Sequence, residues 1–234
     1  MRYFILTLAM MCSAPQGWAD VTYGTASSDT GTTQTSQSHT IAADENAIVI
    51  FVGVRDEDGT ADAVTSVTVG ASSATLIAGC TATVGIIRVE AWGLLNPPTG
   101  AQTIVANGVN SEQMSASALS FKGAGSFSAC VTDTFSGEFA VDTDGISSSA
   151  TAIAVQGLTF SGTTTCDPDA TAPTSTERLD FDDGVNISGC AYTEAGASPT
   201  VDIRVDLGAA RTGAALGLSI LAGGRVAVSP ILFQ

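Results

Sequence analysis

The stretch Val84–Gly100, VGIIRVEAWGLLNPPTG, decides how the rest of the chain is read. It reads as a strand: Ile87, Val89, Ala91 and Leu95 alternate onto one face, with Gly93 before the last, and Ile86, Arg88, Glu90, Trp92 and Leu94 onto the other. β-branched residues and a Trp suit a pleated, half-buried surface. Pro97 and Pro98 stop the strand, because they remove two backbone donors and fix two φ angles. Gly100 closes the turn, and a second apolar run starts at Ala101. A strand of this length with a Trp near its end and a Pro-Pro stop predicts a central strand of a sandwich.

The same texture extends outward. Asn46–Arg55, NAIVIFVGVR, is a continuous apolar run and predicts a strand buried on both faces. Val64–Gly70 alternates, and Ser73–Cys80 is its expected partner across Gly70-Ala71-Ser72. Gln102–Val109, Glu112–Lys122 and Ser149–Phe160 read as further strands, and Glu138–Asp142 as a short one. Glu177–Asp182 and Asn186–Tyr192 form a pair around Asp183-Gly184, a strong hairpin signal. Val201–Leu207 and Ala214–Leu221 complete the series as two separate strands. No segment carries a helical period. Recurrent turn signals predict an all-β protein, a single two-sheet antiparallel sandwich over residues 20–224.

Composition narrows the function classes. The 234-residue chain is 13% charged, with 8 basic residues against 23 acidic ones and a net charge of -15. Such a field repels nucleic acid and anionic membranes, so no nucleic-acid partner is expected. Residues 1–19 read as a signal peptide: Arg2 forms the positive region, Tyr3–Met11 the apolar core, and Gly17-Trp18-Ala19 the cleavage site. The apolar core is too short for a transmembrane anchor. These features predict a secreted or cell-surface protein, with a virion as the alternative. Beyond Ala19 stand Cys80, Cys130, Cys166 and Cys190, an even number that reads as two disulfides in an exported chain. Of the three possible connectivities, Cys80–Cys130 and Cys166–Cys190 are expected, the first tying two strand ends and the second closing a local loop.

Candidate sites are sparse. Arg88, Glu90 and Trp92 share a strand face within about 7 Å, as a row that would stack on and hydrogen-bond a glycan, or form an Arg–Glu ion pair over a half-covered Trp. Asp56, Glu57, Asp58 and Asp62 offer hard oxygen ligands for Ca2+, or simply a solvated acidic turn. Asp180, Asp182 and Asp183 form a second acidic cluster. A glycosidase would need a second carboxylate opposite Glu90. The chain has no GxSxG motif, and its one histidine, His39, is expected at an exposed or rim position. Residues 225–234, RVAVSPILFQ, are apolar beyond a completed closing strand and suit self-association or docking on a surface partner.

Several pieces together resemble a jelly-roll-like β-sandwich module of secreted bacterial proteins and phage virion proteins. They are VTYG, IVIFVGVRDED, VTSVTVGASSATLI, RVEAWGLLNPPTGAQTIV, ALSFKGAG, DTDGISSSATAIAV and GAALGLSIL, which span nearly all of the chain after residue 19. The resemblance implies a two-sheet sandwich on a surface or particle protein and supplies no catalytic residues. The expectation is therefore a non-enzymatic exported structural or adhesive subunit, with a carbohydrate-binding module, possible Ca2+ dependence included, as the alternative.

Overall fold

The computed structural model describes residues 20–56, 59, 62–110, 112–168, 175–184 and 186–223. The expected signal peptide, Glu57 and Asp58, and the apolar segment 225–234 lie outside the described residues. Those described are all strand and connection, with antiparallel pairing throughout and no helix. The strands fall into three sheets.

The middle sheet has the order β1 (Thr22–Thr32), β9 (Gln113–Lys122), β3 (Glu45–Arg55), β7 (Ile87–Leu95), β6 (Thr75–Val84). The front sheet has the order β2 (Gln34–Ile41), β8 (Gly100–Asn107), β4 (Ser66–Val69), β5 (Ser72–Ser73). The back sheet runs β10 (Ala124–Phe127), β16 (Thr200–Ala222), β12 (Ile153–Ser161), β15 (Ile187–Ala195), β14 (Thr176–Asp182). Along β16, β11 (Val131–Ser147) and β13 (Cys166–Pro168) also pair.

The period-two rule explains the layering. On β3, Val49 and Phe51 turn to the back sheet and pack with Val155, Leu216, Leu218 and Ile220. Their neighbours Ile48, Ile50, Val52 and Val54 turn to the front sheet and pack with Val67, Val69, Ile104 and Ala106. A strand apolar on both faces is thus the one sandwiched between two layers, as the run Asn46–Arg55 predicts.

A further layer lies behind the back sheet. The 23 residues of β16 form one continuous strand rather than the two expected, and β11 spans 17 residues where only Glu138–Asp142 reads as strand. Their ribbon changes register around Gly137 and Glu138 and folds over the outer face of β12. Gln156 of β12 donates through Nε2 to Thr143 Oγ1 of β11 at 2.6 Å and to the Ile203 carbonyl of β16 at 3.3 Å, which places the ribbon above it. Val141, Ile146, Ile203 and Val205 close this outer core on Leu158, Phe160 and Tyr192. The expected pair of stacked sheets is therefore the centre of a deeper stack, covered by the front sheet on one side and the ribbon on the other.

The deciding stretch is itself divided. Val84 ends β6 and pairs with Ile87, so the strand starts at Ile87, after a two-residue turn in which Gly85 has φ 54°. A glycine at the first position of such a hairpin turn takes the positive φ without a Cβ clash. Gly93 has another reason: a Cβ there would come within 2.5 Å of the Phe127 ring, which packs against that end of β7. Ser72–Ser73 pairs with β4 for two residues only, after which β6 crosses to the middle sheet, so the expected hairpin of Val64–Gly70 with Ser73–Cys80 is nearly all diverted.

Both expected disulfides form. Cys80–Cys130 joins the edge strand of the middle sheet to the start of β11, with 5.0 Å between Cα atoms. Cys166–Cys190 joins β13 to β15, with 6.4 Å between Cα atoms.

Candidate functional site

The row Arg88, Glu90 and Trp92 is brought together as its spacing implies, and its chemistry is already occupied. Arg88 Nε donates to Glu90 Oε1 at 2.6 Å, and Arg88 Nη2 lies 2.6 Å from the same oxygen. Trp92 Nε1 donates to Glu90 Oε2 at 3.0 Å. The Glu90 side chain is 1% exposed and Trp92 packs against the core under the front sheet. The geometry is an ion pair closed by an indole, facing into the layer between sheets.

The acidic turn is only half described. Asp56 is buried and its amide donates to the Ile86 carbonyl, while Asp62 accepts from Asn110 Nδ2 at 2.9 Å. Among the described residues, the three ligand-bearing side chains that come within metal-binding distance of one another are Cys166, Asp180 and Cys190. The two cysteines are bridged to each other, which removes both thiolates from metal binding. In the second acidic cluster, Asp183 Oδ1 accepts from the amides of Asn186 and Ile187 and Asp182 Oδ1 from that of Gly184, so both carboxylates hold the hairpin turn.

His39 departs from its expected exposed position: it is 2% exposed, on the inward face of β2 with Thr35, Gln37 and Ile41. Polar alternation on β2 reads as solvent-facing only if nothing covers it, and β1 does. Ser27 Oγ lies 2.8 Å from His39 Nδ1, and Thr25 Oγ1 lies 3.3 Å from Nε2. Thr25 donates its own proton to the Thr40 carbonyl at 3.0 Å, so the consistent assignment has Nε2–H donating to Thr25 and Nδ1 accepting from Ser27. The Ser27–His39 distance is one a nucleophile and base require. The ring, however, faces the layer between sheets and borders neither cavity described below.

Burial holds the His39 pKa below its ordinary value, against the opposing charge of Glu45. A depressed folded pKa means that the unfolded chain binds the proton more readily. The stability of the neutral-His state is therefore complete above the unfolded value of about 6.5 and falls as pH drops below it, levelling off under the folded pKa. Asp142 acts with the opposite sign, since burial and Asp144 push it up to about 6. The His39 contribution is isolated by difference: wild type should lose stability relative to His39→Gln between pH 7.5 and 5 in urea titrations. Parallel curves would show that His39 titrates as it does in the unfolded chain.

Among the described residues, a cavity opens at each of two opposite edges of the central sandwich. One is an apolar groove of about 480 Å3 between β6, the end of β7 and β10, lined by Leu76, Ile77, Leu94, Leu95 and Phe127. Leu76 and Leu95 are 39% and 36% exposed there. The Cys80–Cys130 bridge joins β6 to the segment that follows this wall.

The other is a polar cleft of about 500 Å3 where the middle-sheet edge β1 meets the back-sheet edge β14. Its side chains include Tyr23, Thr151, Thr176, Arg178, Thr193 and Glu194. The Arg178 guanidinium lies 4.0 Å above the Tyr23 ring, and its Nε donates to Thr193 Oγ1 at 2.6 Å. Tyr23 also makes an edge-on contact with Phe121, at 6.2 Å between ring centres. Sequence reasoning missed this cleft. Tyr23 and Arg178 stand on ordinary alternating strands, and no local spacing links positions that only sheet stacking brings together. No family model, curated protein or solved structure matches the chain.

Proposed function

We propose that the chain is a non-enzymatic exported subunit with a structural or adhesive role in a cell-surface, filament or virion-like assembly. The observation that carries this reading is the apolar groove between β6 and β10, open to solvent at a sandwich edge of a strongly acidic protein. An open groove lined by apolar side chains is suited to take up an apolar segment. Two disulfides are compatible with an oxidising compartment outside the cytosol. Among the described residues no helix is long and apolar enough to cross a membrane.

The occupant we assign to the groove is the apolar segment 225–234 of a second copy. β16 runs antiparallel to β10, so at Gly223 the chain heads away from the groove wall of its own copy. Val226, Val228, Ile231, Leu232 and Phe233 match the lining chemically and lie on a segment long enough to add as a strand. A contact between one end of a copy and the groove of the next is heterologous and builds chains rather than closed dimers.

The test is light scattering on the chain after residue 19 against its deletion of residues 225–234 and against Leu76→Asp. The intact protein should form oligomers that grow with concentration, and both variants should be monomers that melt as the parent does. A parent that stays monomeric at high concentration, or a deletion that unfolds because the segment fills its own groove, overturns the assignment. A second reading, glycan binding, is favoured by the polar cleft at the opposite edge.

A further inference from the structure

Arg178 is held by uncharged groups. Basic residues are few, and Arg88 and Lys122 are spent on Glu90 and Asp44. Arg178 instead rests on a tyrosine ring and a threonine hydroxyl, and among the described residues no carboxylate pairs with it. Both contacts fix the plane of the guanidinium through its face and its Nε, leaving the terminal Nη edge, with its four N–H donors, to the cleft. The neighbouring wall adds the hydroxyls of Thr22, Thr151 and Thr176. At the floor the Val21 amide donates to the Thr151 carbonyl at 2.9 Å, tying the start of β1 to the turn before β12.

We propose that this cleft binds a neutral glycan, with Arg178 as the fixed fork for adjacent sugar hydroxyls and the threonines as the surrounding partners. This rests on the glycan-binding reading above and moves it from the Arg88–Glu90–Trp92 row to the opposite edge of the middle sheet. The ligand class follows from charge. A carboxylated or phosphorylated ligand would meet Asp20 and the field of a chain with net charge -15, and a cation would meet Arg178. A sugar hydroxyl both donates and accepts, so it suits a wall that offers a guanidinium and threonine hydroxyls together. A volume of about 500 Å3 falls within the usual range of small-ligand sites.

The test is binding of the full chain to an immobilised panel of neutral, sialylated and uronate-bearing oligosaccharides, with and without EDTA, followed by titration calorimetry on the best neutral member. Wild type should bind neutral members equally well in both conditions. Arg178→Ala should weaken that binding by about tenfold or more, and Arg178→Lys by less, since it keeps the charge without the fork. Melting temperatures serve as the folding control. If Arg178→Ala fails to fold, Thr176→Val and Thr151→Val decide the matter, each expected to weaken binding several-fold. Neutral-glycan binding that none of these variants alters overturns the site and leaves the glycan reading standing. Binding to acidic members alone overturns the ligand class, and no binding to any member overturns the glycan reading itself.

Discussion

Replacing Cys80 and Cys130 together by serine is expected to lower the unfolding free energy by about 4 kcal/mol, the loop-closure value for a 50-residue separation. The bridge acts mainly on the unfolded chain, where it forbids conformations in which β6 and β11 are far apart. In the folded protein it joins an edge strand of the middle sheet to the back-sheet system, at the sandwich edge that also carries the apolar groove. β6 pairs on one side only, with β7, and its register breaks between Leu76 and Thr81. Opening the bridge should therefore loosen this edge before the rest, with faster amide exchange in β6 than in β3. Urea titration of oxidised wild type against the double variant gives the number. A loss under about 1 kcal/mol would mean that the unbridged unfolded chain is already compact there. The shorter Cys166–Cys190 loop, with a separation of 24, should contribute about 3.5 kcal/mol on the same reasoning.

Arg88→Ala is expected to cost about 3 kcal/mol, well above an ordinary surface pair. The asymmetry of exposure is the reason. Arg88 is 22% exposed, but the carboxylate it satisfies is 1% exposed, and only Trp92 Nε1 would remain bonded to it. Removing the cation leaves a buried charge with one neutral donor. Taking away the charge as well should recover most of the loss, so Arg88→Met combined with Glu90→Leu is expected to lie near wild type. Chemical denaturation of both variants checks this pair of outcomes. A double variant as unstable as Arg88→Ala would show that side-chain packing, rather than charge burial, dominates the site.

Much of the architecture was legible along the chain because the signals were local. The unbroken apolar run Asn46–Arg55 could only be a strand covered on both faces, and β3 is that strand. The Asp183-Gly184 hairpin forms between β14 and β15. Other elements were hidden because their surroundings are not local. β11 is polar and glycine-interrupted, so its 17 residues show little alternation, yet β16 supplies a partner along its length. His39 looked like a rim residue because its strand alternates Thr, Gln and His with Ser and Thr, and no pattern within that strand reports that β1 lies over it.

Alternation, turn residues and an even set of cysteines were enough to specify antiparallel β structure and the expectation of two disulfides, since each depends on neighbours in sequence or on a count, whereas the pairing among three connectivities is decided by which strands meet. The number of layers, the burial of Glu90 and His39, and the meeting of Tyr23 with Arg178 come from which sheet faces stack on which. That choice depends on apolar area buried between residues far apart in the chain, and side chains on separate strands carry no record of one another until the sheets have closed.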